Sequence, residues 1–368
     1  MDELRILIAG GGTGGHLFPA LAIGEEILNR NSKTKIHYVG SIFGLEAKVF
    51  PIKDVWHTLL PIRGLQRGFS IDSISRNILL PVRFIRSFYK TNSLINDFKP
   101  NIIVGTGGYA SALPLFVASN YRKTIPIILQ EQNSFPGITT RWFAKKAAKI
   151  CVAFKDQNSD LLGKIVYTGN PIRKGITKGN KYLGYKKFYF NKVNKTIFLF
   201  GGSQGSSYLN NLLSKIIKKI ANAGIQVLWQ TGDVDFGKYK KFISNNVYVT
   251  PFINNMAEAY AMSDLIICRS GALTLSEITV CGKPSILIPF PSAAGDHQTK
   301  NAQVLVDSNA AKILFERNLK TKTLMHTIMN LIHNEKALAE MSIAAKAIGK
   351  PNATSKIVDH ILKEKNDF

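Results

Sequence analysis

Short apolar runs recur along this chain at the spacing of strands, and they fall into two separate series. In the first half Leu4–Ala9, Ile36–Val39, Val55–Leu60, Ile102–Val104, Ile125–Leu129 and Ile150–Ala153 read as strands, with helical patterns between most of them. The second half begins again with Thr196–Phe200, Gln226–Trp229, Val247–Thr250, Leu265–Ile267 and Ser285–Ile288. Alternation of strand and helix implies an α/β protein with parallel sheets covered by helices, and two series imply two doubly wound domains. The length agrees, because 368 residues exceed what one core usually supports. The basic, Gly- and Tyr-rich stretch Pro171–Lys195 reads as the junction. A ligand is then expected in a cleft between the domains, at the carboxyl ends of the strands.

Composition narrows the partners. Hydrophobic residues make up 45% and charged residues 20%, as in globular proteins. The net charge of +24 favours anionic partners, although enrichment of Lys, Asn and Ile across a proteome would give the same total. No RNA-binding or helix-turn-helix signature accompanies it, so nucleic acid is not an expected partner. Cys151, Cys268 and Cys281 each lie in or beside apolar segments, which argues for buried thiols in a reducing cytosol. No Cys/His cluster has metal-ligand spacing, no metal or other cofactor is expected, and no signal peptide is visible. The uncharged stretch from Ile102 to Asn120 is long enough to span a membrane. Gly105, Gly107, Gly108 and Pro114 interrupt it, so it reads as strand, glycine loop and buried helix.

Three Gly-rich loops follow predicted strands: Gly10-Gly-Gly-Thr-Gly-Gly-His16, Gly105-Thr-Gly-Gly-Tyr109 and Gly201-Gly-Ser-Gln-Gly205. Glycine lets a backbone approach phosphate closely, and three such loops point to a phosphate-rich ligand. Gly10, Gly12 and Gly15 also fit a dinucleotide fingerprint. That fingerprint needs an acid at the end of the second strand, and none occurs before Glu46, which argues against an NAD enzyme.

Residues Cys268–Glu277 carry the most functional information. A buried strand turns at Ser270-Gly271 into a helix whose free N–H groups suit a diphosphate. Glu277 lies five residues beyond Ala272, about 7–8 Å up the axis, close to the separation of a nucleotide's phosphates from its ribose hydroxyls. An ionised carboxylate only accepts hydrogen bonds, which suits hydroxyls and not phosphate. The competing reading is a first-turn Glu that supports the helix dipole.

Taken together these segments resemble glycosyltransferase family 28, the N-acetylglucosaminyltransferases of peptidoglycan synthesis. The matching pieces are Gly11–His16, Gly107–Tyr109, Glu131-Gln-Asn133, Gly169-Asn-Pro-Ile-Arg173, Gly201–Gly205, Cys268–Glu277 and Asp296–Ala302, in the family's order. Gln130 departs from it, standing where family members carry His, and Ala110–Pro114 is also unusual. The resemblance implies a GT-B fold, two Rossmann-like domains facing across a cleft. Residues 1–165 would bind acceptor and membrane, residues 166–345 would bind UDP-N-acetylglucosamine, and residues 346–368 would form a C-terminal helix that packs back on the first domain. The implied reaction is inverting transfer from UDP-N-acetylglucosamine to the 4-hydroxyl of the muramoyl sugar of undecaprenyl-diphosphoryl-muramoyl-pentapeptide. Donor contacts map onto Thr13, Gly14, Gly15, Asn133, Arg173, Ser203, Ile253, Ala272, Leu273, Thr274, Leu275, Ser276, Glu277 and Gln298, with Ile253 clamping uracil through its backbone. Gly107, Gly108 and Tyr109 map onto acceptor contacts. Inversion needs a base. His16 is the leading candidate, as a histidine beside the first glycine loop, and Glu131 is the second. Asp233-Val-Asp235 imitates a D-x-D metal motif but reads as a solvated turn.

Between Ile71 and Lys90, the residues Ile71, Ile74, Ile78, Val82, Ile85 and Phe88 keep helical spacing beside Arg76, Arg83, Arg86 and Lys90. The segment reads either as a core-facing helix kinked at Pro81 or, with the resemblance, as a peripheral patch docking on anionic lipid. The expected location is the cytoplasmic face of the bacterial inner membrane, with other cell-wall or division proteins as further partners. Two other readings stand beside this one. One is another GT-B enzyme, such as a diacylglycerol glycosyltransferase or UDP-N-acetylglucosamine 2-epimerase, and the other is a non-catalytic basic scaffold for cell-wall proteins.

Overall fold

The computed structural model describes residues 3–64, 78–121, 125–155, 161 and 163–366. They form two compact units, one of Met1–Ile172 with Asn352–Phe368 and one of Arg173–Pro351. The first holds a seven-stranded sheet of β1 (Arg5–Ala9), β2 (Lys35–Ser41), β3 (His57–Leu60), β4 (Ile102–Gly105), β5 (Ile127–Glu131), β6 (Lys149–Val152) and β7 (Ile165–Tyr167). Its order is β3-β2-β1-β4-β5-β6-β7, parallel throughout. The second unit holds β8 (Thr196–Phe200), β9 (Gln226–Gln230), β10 (Val247–Thr250), β11 (Leu265–Cys268), β12 (Ser285–Leu287) and β13 (Ala311–Ile313), in the order β10-β9-β8-β11-β12-β13. Strand order reverses at the β1/β4 pair and at the β8/β11 pair. Every Gly-rich turn named above follows one of these four strands, at the switch point where doubly wound sheets open a crevice.

Two strands are absent from the sequence reading, β7 and β13. Each has three residues and lies at a sheet edge, too short to show periodicity. Because Ile165–Tyr167 pairs with β6, the first unit ends at Ile172 and not at residue 165. The second unit runs to Pro351 and not to 345, since helix Glu335–Ile348 belongs to it. The last helix, Ala353–Asn366, completes the first unit. Its Ile357, Val358 and Ile361 are fully buried in one cluster with Ile6, Ile8, Ile23 and Ile27. Arg30 Nη1 to Asp359 at 2.6 Å and Lys149 Nζ to Glu364 at 3.0 Å flank that contact.

The stretch expected as a junction holds the division between the units, at Ile172 and Arg173, and the rest of it is folded structure of the second unit. Asn180 accepts from the N–H groups of Tyr182 and Leu183 at 2.8 and 3.1 Å and caps helix Lys181–Lys187. That helix packs against helix Met256–Met262 so closely that a Cβ at Gly179 would lie 2.0 Å from the Ala257 carbonyl oxygen. Asp233 and Asp235 are likewise not in a loop but in the first turn of helix Asp233–Tyr239, where acids suit the dipole. Asn210 donates to Asp235 at 2.8 Å and to Thr231 O at 2.8 Å, while accepting from the buried Trp229 indole at 2.9 Å. Among the described residues no group of three or more His, Cys, Asp or Glu is placed to hold a metal. No described helix is long and apolar enough to cross a membrane, and Ile102–Asn120 is β4, a glycine loop and helix Tyr109–Ser119. Cys151 and Cys268 are fully buried and Cys281 is half-buried.

His37, 3% exposed in β2, meets the rings of Trp56 and Phe98, and its Nε2 lies 2.8 Å from Thr58 Oγ1. Burial, with His57 nearby, pushes its ionisation down from 6.5 to about 4. The unfolded chain therefore binds a proton that the folded chain refuses. The stability due to neutral His37 is intact above the unfolded value and is lost as pH falls from 6.5 towards 4. Between pH 7 and pH 5 about 2 kcal/mol should disappear. Urea unfolding at both values, with His37→Leu losing that part of the pH dependence, checks it.

Candidate active site

The first unit contributes residues around β1, β4 and β5. Helix Gly14–Arg30 begins at Thr13, which offers no side-chain cap, so the N–H groups of its first turn are not spent on one. His16 lies in that turn. Its Nδ1 is 3.0 Å from Thr106 O and 2.9 Å from Gln132 Oε1, and Thr106 Oγ1 donates to His16 O at 2.8 Å. Helix Tyr109–Ser119 follows Gly107 and Gly108, both at positive φ. A Cβ at Gly108 would lie 2.1 Å from Gly11 O and one at Gly107 2.9 Å from His16 Nδ1, so only glycine lets the two loops and the imidazole meet. Tyr109 is half-buried, and burial pushes its phenol up.

The first glycine loop has a partner that sequence reasoning missed. Glu46 is fully buried, accepts from Gly12 N–H at 3.0 and 2.9 Å and from Ser41 N–H at 2.8 Å, and fills the space a side chain at Gly11 would need. This part of the loop is built around the chain's own carboxylate and not around a ligand's phosphate. Glu46 was legible only as the missing acid of another motif. At Gly15 the case differs: a Cβ there meets nothing closer than Thr13 Oγ1 at 3.5 Å, so nothing internal demands glycine.

Glu131, the second candidate base, is 2% exposed with both oxygens occupied. It accepts from Asn133 N–H at 3.0 Å, Gly137 N–H at 2.9 Å and Thr140 Oγ1 at 2.6 Å, anchoring the turn before helix Ile138–Phe143. That arrangement suits an anchor and not a base.

In the second unit, helix Ala272–Val280 starts at Gly271 without a side-chain cap or a first-turn acid, leaving its N-terminal donors to an anion. A Cβ at Gly271, whose φ is −65°, would meet nothing nearer than Thr274 Oγ1 at 3.8 Å. Glu277 sits in the second turn, so the dipole-support reading of a first-turn Glu does not apply. Only 5% exposed, it receives Arg173 Nε at 3.1 Å on one oxygen and the Tyr260 hydroxyl at 3.1 Å on the other. Burial pushes its carboxyl up, and Arg173 opposes that shift. Arg173, expected at a phosphate, is thus paired with the carboxylate.

The other expected contacts divide. Ser203 is exposed, and Leu273 and Thr274 are half-buried, whereas Ala272 and Leu275 are buried and Ser276 Oγ donates back to Ala272 O at 2.9 Å. Ile253 N–H donates to Gln230 Oε1 at 2.9 Å, so its carbonyl, and not its N–H, is what a ligand can use. Gln298 Oε1 accepts from Ser270 N–H at 3.2 Å and Phe290 N–H at 3.0 Å, so its amide nitrogen is the end free to act as donor. Arg269 was also missed. It donates to Ser206 Oγ at 3.2 and 3.0 Å and to the Ile288 and Pro289 carbonyls at 3.2 and 3.0 Å, and pairs with Glu316 at 2.6 Å, tying the turns after β8, β11 and β12 together.

Two family models match the chain in order: the glycosyltransferase family 28 N-terminal domain over residues 6–152 and its C-terminal domain over residues 196–359. A "UDP-N-acetylglucosamine--N-acetylmuramyl-(pentapeptide) pyrophosphoryl-undecaprenol N-acetylglucosamine transferase" of Cytophaga hutchinsonii is 39% identical over 98% of this chain and 96% of its own length. The protein so named in Flavobacterium psychrophilum is 39% identical over 99% and 98%. Among solved structures, MurG of Acinetobacter baumannii superposes with a TM-score of 0.77 at 26% identity, covering 98% of this chain and 99% of the other. With both domain models matched in order and this identity sustained over nearly its whole length, the chain belongs to glycosyltransferase family 28 and has the GT-B fold.

Proposed function

We propose that this protein transfers N-acetylglucosamine from UDP-N-acetylglucosamine, with inversion, to the 4-hydroxyl of the muramoyl sugar of undecaprenyl-diphosphoryl-muramoyl-pentapeptide. The single observation that carries the donor side is the pairing of an uncapped helix N-terminus at Gly271 with the buried Glu277 carboxylate. Phosphate oxygens accept from the first-turn N–H groups and ribose hydroxyls donate to Glu277. Ile253 O receives uracil N3–H, and Gln298, Asn133 and Thr13 suit sugar hydroxyls, with Ser203 on phosphate. Gly14 and Gly15 add N–H donors, and Gly107, Gly108 and Tyr109 serve the acceptor.

In one in-line displacement the 4-hydroxyl oxygen attacks the anomeric carbon, its proton passes to His16, and the bond to UDP breaks with its electrons leaving on the diphosphate. His16 suits this because its Nδ1 faces two oxygens and Nε2 remains to take the proton. Helix-terminal N–H groups stabilise the departing charge.

The acceptor is lipid-linked, and the described part of the basic apolar segment supports docking at the cytoplasmic face of the inner membrane; Ile71, Ile74 and Arg76 lie outside the described residues. Helix Leu80–Phe98 has Pro81 in its first turn, where the missing N–H breaks no helical hydrogen bond. Along it Ser87 and Thr91 face inward, while Val82, Ile85 and Tyr89, with Ile78 just before the helix, are each at least half exposed and Phe88 packs on Phe116. Arg86 is exposed beside them, and Arg83 lies 5.0 Å over the Phe43 ring. An outward apolar stripe with flanking cations suits acidic headgroups.

One experiment tests activity and docking together. Purified protein should move labelled sugar onto the long-chain acceptor in anionic vesicles and onto a short-chain soluble analogue, and not onto diacylglycerol. Ile85→Ser with Arg86→Glu should weaken vesicle binding about 100-fold, from lost apolar burial and about 1 kcal/mol per surface cation. Transfer in bilayers should fall with it while transfer to the soluble analogue survives. Equal losses on both acceptors would remove docking, and no transfer by the unaltered protein would remove the function.

A further inference from the structure

We propose that Gln132 is a positioning residue that fixes which nitrogen of His16 takes the proton, its own amide held by a ring of buried amides with Gln130 and Asn170; this rests on reading His16 as the base. Gln130, Gln132 and Asn170 are 0%, 2% and 1% exposed. The Gln132 carboxamide cannot turn over. Its Nε2 faces two backbone oxygens, Thr106 O at 2.7 Å and Gln130 O at 3.1 Å, which only accept. Its Oε1 is therefore the atom 2.9 Å from His16 Nδ1.

His16 Nδ1 consequently meets two acceptors, that oxygen and Thr106 O at 3.0 Å, and no donor. It must carry a hydrogen, and the lone pair lies on Nε2. When Nε2 takes the acceptor's proton, the same two oxygens stabilise the imidazolium through Nδ1–H, a bond stronger to the charged ring than to the neutral one.

The amide behind is set in turn. Gln130 Nε2 donates to Asn170 Oδ1 at 2.9 Å, Gln130 Oε1 accepts from Gln132 Nε2, and Asn170 Nδ2 donates to Gln132 O at 3.0 Å, closing a ring. The Gln at position 130, a departure from the family's His, therefore has a defined place: it orients the amide that orients the base.

The test is a nitrogen-15 NMR titration of His16 in histidine-labelled protein, assigned by the signal lost in His16→Gln. The unaltered protein should show the Nδ1–H tautomer at alkaline pH. Gln132→Met, similar in length but without an acceptor, should lower the His16 midpoint by about half a unit and admit the Nε2–H tautomer, while Gln132→Glu should raise the midpoint by about one unit. Opposite shifts in two folded variants are not what a purely structural role gives. No shift in either, or the same direction in both, overturns the proposal. Gln132→Glu alone still decides if Gln132→Met fails to fold. The low-pH limb of kcat/KM should follow the NMR midpoint; a limb that stays still while the midpoint moves leaves the positioning role standing and removes His16 as the base.

Discussion

His16→Ala should lower kcat by about 10²–10⁴-fold, the range that positioned proton transfer contributes. UDP affinity should hardly change, because uracil, ribose and diphosphate are assigned to other groups. The size follows from what replaces the base. With Nε2 gone, only water can take the proton from the muramoyl hydroxyl, and it is neither oriented nor matched in basicity. Single-turnover transfer at saturating donor and acceptor, with calorimetry of UDP binding beside it, reads both quantities. A loss of less than tenfold in kcat would return His16 to the role of a loop-orienting residue. An equal loss in UDP affinity would make it a phosphate contact.

The second large effect is expected at Glu277. Glu277→Ala should cost about 1.5–3 kcal/mol in UDP binding, the value of hydrogen bonds to a charged acceptor, and so weaken affinity about 10–150-fold. It also strips a partner from Arg173 and from the buried Tyr260 hydroxyl, so some loss of stability should accompany it. The nucleotide itself separates the two effects. Affinity for a UDP analogue lacking both ribose hydroxyls should be poor in the unaltered protein and nearly indifferent to the substitution. If both ligands weaken in parallel, Glu277 maintains the fold around Arg173 and does not touch the ribose.

How much of this could be read in the chain depends on where each signal resides. Strand β8 is found at its sequence limits because a parallel strand buried on both faces writes a near-continuous apolar run, and β10, an edge strand, because Val247 and Val249 alternate with half-buried residues in a β-branched and aromatic run. Edge strands of three residues write almost nothing. The turns after β1, β4, β8 and β11 were visible as glycines, but the reasons for those glycines were not. Gly11 makes room for Glu46, thirty-odd positions downstream, and Gly108 makes room for Gly11. Tyr260 and Arg269 were missed for the same reason. Their partners Glu277, Ser206 and Glu316 are distant in sequence, and neither residue stands out in its own neighbourhood. Donor–acceptor direction is a further level that no pattern of residue types carries. That Ile253 offers a carbonyl, and that Gln298 offers an amide nitrogen, follow only once Gln230, Ser270 and Phe290 are seen to occupy the other ends.

The last helix of the chain has a consequence for how the protein is made. Ile357, Val358 and Ile361 finish the cluster that Ile6 and Ile8 begin, so the first unit is built from both ends of the chain, while the second is continuous from Arg173 to Pro351. During synthesis at about 5–20 residues per second, the ribosome spends about 10–40 s on the second unit after Ile172 has been joined. Throughout that interval one flank of the first sheet lacks its cover, and a chaperone or the membrane has access to it. The unit translated first is thus the last to be completed, and a chain stopped short of residue 352 would leave that flank permanently open.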